Sequence, residues 1–387
     1  MPQLTTFAGT RRTRDPLDTL ERITRRLGDY GITRLADVTG LDVIGIPVVM
    51  SVRPLATTLS VSQGKGATLT HARVSAAMEA IELWHAEHAV PKAEREGVAA
   101  AELDLPYAVT DLEQVEGSLL TDRTRLDWIT AEILTGGEAL VPALVPRESV
   151  HIGMTGTAWR GHHLSSSSNG LASGNTVAEA TVHALYEQIE RDCTAALALR
   201  PVGERVIVDP DSVSDPHCAD LIGRIRSAGG WLEIADASLE RWRPVKCFTC
   251  YLWMPDMGTM FGGAGAHTSP EIALSRAVTE AAQSRLTFIA GTRDDLDPRV
   301  YQDETAQRPS VVPLLTPWSA AAGESDSPAD TDGEEMDRLV ELITTATGTA
   351  PMRVDLTDPE AAEDFAVVKT VSPGLAFLSR HELPRPE

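Results

Sequence analysis

Three stretches of the chain repeat one pattern of residue types. ARVSAAMEAIE from Ala72, ATVHALYEQIE from Ala180 and ALSRAVTEAAQ from Ala273 each carry an alanine and a second alanine four residues on. A glutamate follows three further, then a carboxylate or carboxamide three beyond, giving Ala72/Ala76/Glu79/Glu82, Ala180/Ala184/Glu187/Glu190 and Ala273/Ala277/Glu280/Gln283. At ~100° per residue, each set falls within about a third of a helix circumference. The alanines let such a helix approach a neighbouring backbone closely, and the polar pair extends from the same face near its end. One such helix alone reads equally well as an amphipathic surface helix. Three in matched register, each behind a glycine-rich segment (SQGKGAT, SNGLASGNT and FGGAGAHTS), point to a shared purpose. Glycine there allows tight turns and close approach to a ligand.

Five carboxylates on stripes that face the protein repel one another unless cations join them. The cation suited to an oxygen-rich cluster is magnesium, which is commonly shared with phosphate oxygens. Basic partners are at hand in Lys65, Arg191, Arg276 and Arg285. Arg276 shares the stripe of Glu280 and Gln283, whereas Arg285 points away from it on a continuing helix. This composes a nucleotide site without a P-loop: Leu59 stands where a Walker A sequence needs its first glycine.

The rest of the chain must position these groups. Its 387 residues suffice for one large domain or two ordinary ones, and 42% apolar content supports a packed core. A formal charge of −22 argues against a general nucleic-acid binder or a coat for anionic lipid. No apolar run approaches the ~20 residues of a membrane span. The N-terminus lacks the apolar core of a signal peptide, so the chain reads as cytoplasmic. Residues 16–40 read as a helix and connector, making 1–40 an N-terminal helical segment before a main domain at 41–387. DVIGIPVVMSV reads as a strand with Pro47 at an edge or irregular position, and WITAEILTGGEALVPALVP as a hairpin. ERVIVD, GWLEIADAS, PVKCFTCYLWM and DFAVVKTV read as further strands. With three long helices between them, the class is mixed α and β. Residues 320–337, acidic and poor in apolar side chains, read as a mobile loop. VPKAEREGVAAAELDLP is a second linker candidate. The CxxC pair Cys247 and Cys250 lacks the second ligand pair of a zinc site and reads as part of a buried strand. His85, His88, His162 and His163 read as structural or substrate-side groups, since Glu87 completes no HExxH pattern. The serines at 165–168 lie in no G-x-S-x-G elbow and read as part of a turn.

These motifs resemble those of the YcaO family of ATP-using amide-activating enzymes, from about residue 45 to the C-terminus. GKG with ARVSAAMEAIE, SNGLASGNTVAEATVHALYEQIERD and GGAGAHTSPEIALSRAVTEAAQSR match its successive nucleotide-binding motifs in order. The resemblance implies a mixed α/β domain that binds ATP and Mg2+ through carboxylates on helices. It implies Glu79, Glu82, Glu179, Glu187 and Glu190 as the magnesium and phosphate shell. Lys65, Ser75, Asn175, Arg191, Gln283 and Arg285 then belong with nucleotide contacts, and Glu79 borders both groups. Leu83 departs from the arginine that many members carry there, and MEAIELWHAEH is similar to the subgroup encoded beside TfuA-like partners and linked to thioamide formation.

The family phosphorylates a peptide-backbone amide oxygen, which departs as phosphate; an internal Cys, Ser or Thr nucleophile gives an azoline, sulfide a thioamide, an amine an amidine. The site must align the amide with the γ-phosphate and neutralise transferring charge. Azoline-forming members often end in a Pro-x-Pro-x-Pro tail, and this chain keeps Pro384 and Pro386 of it. About 45 residues precede the first family strand, too few for a fused leader-binding module. The resemblance thus implies a ribosomally made precursor peptide presented by a separate TfuA-like or ThiF-like protein. A homodimer is common in the family. An alternative of another class is a nucleotide-binding accessory protein acting through a partner enzyme.

Overall fold

The structure, a computed structural model, describes residues 3–136, 141–153, 163–293, 301, 314–323 and 329–377. A short hairpin opens the chain, β1 (Thr5–Phe7) with β2 (Thr10–Arg12), and α1 (Pro16–Thr24) follows. A three-stranded antiparallel sheet joins β3 (Arg34–Asp37), β4 (Val48–Val52) and β5 (Val61–Lys65) in that order. A six-stranded sheet holds β6 (Arg95–Ala99), β7 (Arg125–Ile133), β8 (Val141–Pro146), β9 (Leu171–Gly174), β15 (Met352–Asp355) and β16 (Ala366–Val371). Its path is β6-β7-β15-β16-β9, with β8 paired to β7. A five-stranded sheet runs β13 (Met257–His267), β12 (Lys246–Met254), β11 (Trp231–Asp236), β10 (Val206–Val208) and β14 (Leu315–Thr316). The remaining helices are α2 (Leu69–His88), α3 (Val177–Leu199), α4 (Pro216–Ser227), α5 (Pro270–Ala290), α6 (Trp318–Ala322) and α7 (Asp332–Thr347). The class is mixed α and β, as the sequence implies. No described helix is long and apolar enough to cross a membrane.

The threefold repeat is a strand followed by a helix: β5–α2, β9–α3 and β13–α5. Each of these strands is the terminal strand of its sheet. Each helix starts from a hydroxyl cap, Thr68, Thr176 or Ser269, whose oxygen accepts the backbone N–H three residues on. The glycines serve a purpose beyond the expected ligand turns, although Gly66, Gly174 and Gly262 do line the cavity described below. They lie mostly within the strands, where the helix backbone presses on them. A Cβ on Gly64 would stand 1.9 Å from the Ala76 nitrogen, and one on Gly174 2.5 Å from that of Ala180. On Gly263 it would stand 2.4 Å from the Ala281 nitrogen, and on Gly265 2.2 Å from the Ala273 oxygen. Glycine on the strand and alanine on the helix are two sides of one close contact. Low β-propensity hides such strands from sequence, because glycine normally weakens them.

Other elements refine the reading. β4 begins directly after Pro47 and is the central strand of its sheet, so the proline marks a strand start. The expected hairpin pairs Ile133 with Val141 and Trp128 with Pro146; residues 137–140 lie outside the described ones. The second linker candidate contains β6. Cys247 and Cys250 lie buried on β12, and all four cysteines are free thiols. The acidic stretch at 320–337 is not simply a loop. It includes the end of α6 and the start of α7, where Thr331 caps the helix and Asp332, Glu334 and Glu335 occupy the first turn. Acidic side chains suit the positive end of a helix dipole. Residues 324–328 of that stretch lie outside the described ones. The N-terminal 40 residues are likewise not a separate helical segment, since they supply a hairpin, one helix and a strand of the three-stranded sheet.

The glycine–alanine contact predicts that Gly64→Ala destabilises the protein by roughly 3 kcal/mol, the upper part of the usual overpacking range. Gly28→Ala, with open space around its Cβ, should stay within about 0.5 kcal/mol of the parent. Chemical denaturation of both variants checks the difference.

Candidate functional site

The three repeats converge on one cavity of about 860 Å³, within the usual range for a small-molecule site. Of the residues singled out from sequence, Lys65, Ser75, Glu79, Glu82, Asn175, Glu179, Glu187, Glu190, Arg191 and Gln283 all line it. Arg285 does not. Its guanidinium is buried against Asp42, at 3.0 and 3.1 Å, and Asp256, at 2.6 Å, where it ties α5 to two loops. That placement follows from helical geometry, which turns Arg285 away from the stripe.

The carboxylates are held under electrostatic tension. Burial pushes Glu79, Glu82 and Glu190 above the ordinary glutamate range, and Glu187 up to about 7. Glu79 adds to the effect on Glu82, and Glu190 to that on Glu187. Arg191 opposes it, standing 3.4 Å from Glu190 and 3.7 Å from Glu187. Glu280 is the exception: burial pushes it up, but ion pairing with Lys65 and the field of Arg191 bring it below its ordinary value. Glu82 accepts from the Ser173 backbone N–H at 2.7 Å and from the Ser173 hydroxyl, which ties α2 to β9. Ser75 accepts weakly from the Lys65 backbone N–H at 3.4 Å.

Glu179, expected in the magnesium shell, is engaged differently. Its oxygens accept from the Thr13 N–H (3.1 Å) and hydroxyl (2.7 Å), and from the Asn175 N–H (3.3 Å) and amide (3.0 and 3.1 Å). Arg12 adds a charge at 3.7 Å. A carboxylate offers about four lone-pair sites, so these donors use its capacity. Although burial opposes it, Arg12 and Thr13 hold the Glu179 carboxyl below its ordinary range. Thr19 in turn donates to Asn175 at 2.7 Å. The N-terminal segment is thus part of the cavity wall, a placement sequence reasoning missed. No local pattern signals a contact spanning 166 residues. His183 also lines the cavity; it lies one turn before Glu187, so extending the stripe by one turn would have found it.

The Trp84-His85-Ala86-Glu87 variant lies off the cavity. His85 Nδ1 donates to the Ile81 carbonyl at 2.7 Å, Trp84 packs edge-on against Tyr30, and Glu87 pairs with Arg53 at 2.8 Å. His88 stacks on Trp84, and the His163 N–H donates to Glu148; His162 lies outside the described residues. Ser165 and Ser166 bond to neighbouring loop backbone, and Ser167 donates to Glu113.

The chemistry of this donor set suits a nucleotide bridged by divalent cations. Among the described residues no three such ligands stand close enough to form a ready-made metal cage. That agrees with magnesium, which takes one or two carboxylates and completes its octahedron with phosphate oxygens and water. Carboxylates held above their ordinary range lose that penalty once a dication replaces their protons. Removing the Arg285 charge tests the division between site and scaffold. Arg285→Gln should cost about 3 kcal/mol of stability by leaving Asp42 buried and unpaired, while Mg2+–nucleotide affinity stays within about twofold. Denaturation and calorimetry measure the two effects.

Comparison with known proteins gives the family and the fold. The family profile described as "YcaO cyclodehydratase, ATP- and Mg2+-binding" matches residues 63–376. An uncharacterised protein of Mycobacterium tuberculosis is 37% identical over 396 residues, covering 98% of this chain and 85% of the relative. An uncharacterised protein in the tfuA 3′ region of Rhizobium leguminosarum bv. trifolii is 35% identical, covering 93% and 87%. The structure of YcaO from Methanopyrus kandleri bound with AMPPCP and Mg2+ superposes with a TM-score of 0.73 at 22% identity, covering 100% of both chains. The chain belongs to the YcaO family of ATP- and Mg2+-binding enzymes.

Proposed function

We propose that this enzyme uses ATP to phosphorylate a peptide-backbone amide oxygen and, with sulfide as nucleophile, installs a thioamide in a ribosomally made precursor peptide. The observation that carries the ATP-dependent part is the convergence of Glu79, Glu82, Glu187 and Glu190 with Lys65 and Arg191 on one cavity. The choice of sulfide is supported by the relative lying in a tfuA 3′ region and by the WHAEH variant. That variant packs away from the cavity, so in this reading it serves as a subgroup signature and not as part of the nucleotide site.

In this reading Glu79, Glu82, Glu187 and Glu190 hold the cations, and Lys65 and Arg191 balance the charge. Magnesium, when bound, neutralises the polyphosphate and favours transfer. Asn175, Ser75 and Gln283 orient the nucleotide. Glu179 serves the same shell from behind, fixing Asn175 and Arg12. A hydrosulfide ion adds to the amide carbon. The amide oxygen then bonds to the γ-phosphorus as the bond to the β-phosphate oxygen breaks, releasing ADP. The carbon–oxygen bond breaks, the sulfur proton ends on the departing phosphate, and a carbon–sulfur double bond remains. A separate TfuA-like or ThiF-like partner supplies the sulfur or presents the peptide.

Reconstitution with precursor peptide, ATP, Mg2+, sulfide and such a partner should exchange one oxygen for sulfur per ADP formed, read by mass spectrometry. Loss of one water without sulfur would assign the azoline reaction instead, and product without ATP consumption by this chain would assign an accessory role. Glu190→Ala should lower peptide-dependent ATP consumption by at least ~100-fold.

A further inference from the structure

The large cavity adjoins a second, of about 20 Å³, walled by Tyr186, His267, Asp332 and Glu335. Arg12, Glu179, His183 and Arg276 are the residues that face both. Glu79, Glu82, Glu187, Glu190 and Lys65 face the large cavity and do not border the small one. The neck between the two cavities therefore has its own chemistry.

It is cationic. The Arg276 guanidinium makes one long hydrogen bond, to the Ala266 carbonyl at 3.4 Å, and has no carboxylate within ion-pair distance among the described residues. Arg12 has Glu179 at 3.7 Å, but that carboxylate is already spent on Thr13 and Asn175. One guanidinium thus has no carboxylate partner, and the other has only a carboxylate whose lone pairs are occupied. Their mutual repulsion shows: burial first, then Arg12, brings Arg276 down to about 10, with Glu190 and Glu280 only partly opposing. Burial and the same two arginines, Arg276 ahead of Arg12, hold the His183 imidazole well below its ordinary range. On the far wall, Asp332 is pushed up to about 7 by burial and by Glu179, and Glu335 accepts from the Tyr186 and Thr268 hydroxyls. Arg12 and Arg11 only partly oppose the shift of Asp332, and among the described residues neither acid lies within ion-pair distance of Arg12 or Arg276.

Partly buried cations without partners are costly unless an anion joins them. Guanidinium is suited to phosphate oxygens through two parallel N–H donors. The polyphosphate of a nucleotide suits the carboxylate end through its cations, whereas the neck can hold a phosphate oxyanion with no metal between. We propose that Arg12 and Arg276 form an anion subsite, separate from the carboxylate cluster, that takes the transferred phosphoryl group as a phosphate ester or as inorganic phosphate. This assignment of the ligand rests on the reaction proposed above.

Direct binding of inorganic phosphate to the nucleotide-free chain, followed by calorimetry without peptide, tests it. Arg276→Gln and Arg12→Gln should each weaken phosphate by about tenfold or more, and Arg276→Lys should recover part of the loss. AMPPCP–Mg2+ affinity and the unfolding temperature should stay close to the parent's in all three. Absence of phosphate binding by the parent at millimolar concentration, or binding unchanged in both glutamine variants, would overturn the subsite. So would a loss of AMPPCP affinity matching that of phosphate, which would make Arg276 a nucleotide ligand. Because no turnover is involved, phosphate binding lost in the variants with no peptide modified by the parent leaves the subsite standing and removes the reaction. Peptide modification with unaltered phosphate binding does the reverse.

Discussion

The contact of a strand glycine with a helix alanine is the constraint on which this molecule depends. Only a hydrogen on Gly64, Gly174, Gly263 and Gly265 leaves room for the backbones of α2, α3 and α5. A helix brought that close to the terminal strand of its sheet turns the carboxylates of its middle turns toward the cavity. Three sheets doing so place Glu79, Glu82, Glu187, Glu190 and Glu280 around one cavity. The packing is apolar and local; its result is a concentration of charge that no single element would tolerate.

That charge explains the company it keeps. Lys65 is spent on Glu280, and Arg191 is divided between Glu187 and Glu190. Burial outweighs the nearby cations for Glu79, Glu82, Glu187 and Glu190, which favour the protonated form more than a free glutamate does. The N-terminal segment solves a different part of the problem. Thr13 and Arg12 satisfy Glu179 from outside the repeats, and in doing so bring a guanidinium to the neck of the cavity. Site and scaffold therefore interlock at both ends of the chain order.

Much of this was legible in the amino-acid order because helical periodicity is strict. The spacing of Ala72, Ala76, Glu79 and Glu82, repeated twice, revealed the stripes and their shared target, and it also turned Arg285 outward. The strands beneath were harder to see. β5, β9 and β13 owe their glycines to helix contact, and glycine otherwise signals a turn. The acids of residues 332–335 looked like loop composition because a helix start and a solvated loop favour the same residues. The contribution of Thr13, Thr19 and Arg12 had no signal at all, since only folding brings them beside Asn175 and Glu179. Arg276 was visible as a member of the third stripe, but its lack of a carboxylate partner is a property of three dimensions.

The central claim, that a divalent cation with nucleotide relieves protonated buried carboxylates, has a direct thermodynamic signature. Glu79, Glu82 and Glu190 lie above their ordinary range and Glu187 near 7. The metal-free fold therefore holds protons that the unfolded chain has lost. Through Glu187 its stability falls as pH rises from 4.5 to about 7 and levels off beyond. Cation binding must expel those protons. Calorimetry of AMPPCP–Mg2+ binding in buffers of different ionisation enthalpy counts them. The account predicts net proton release at a pH about one unit below the Glu187 value, shrinking above it and reduced in Glu187→Gln; no release, or proton uptake, would contradict it.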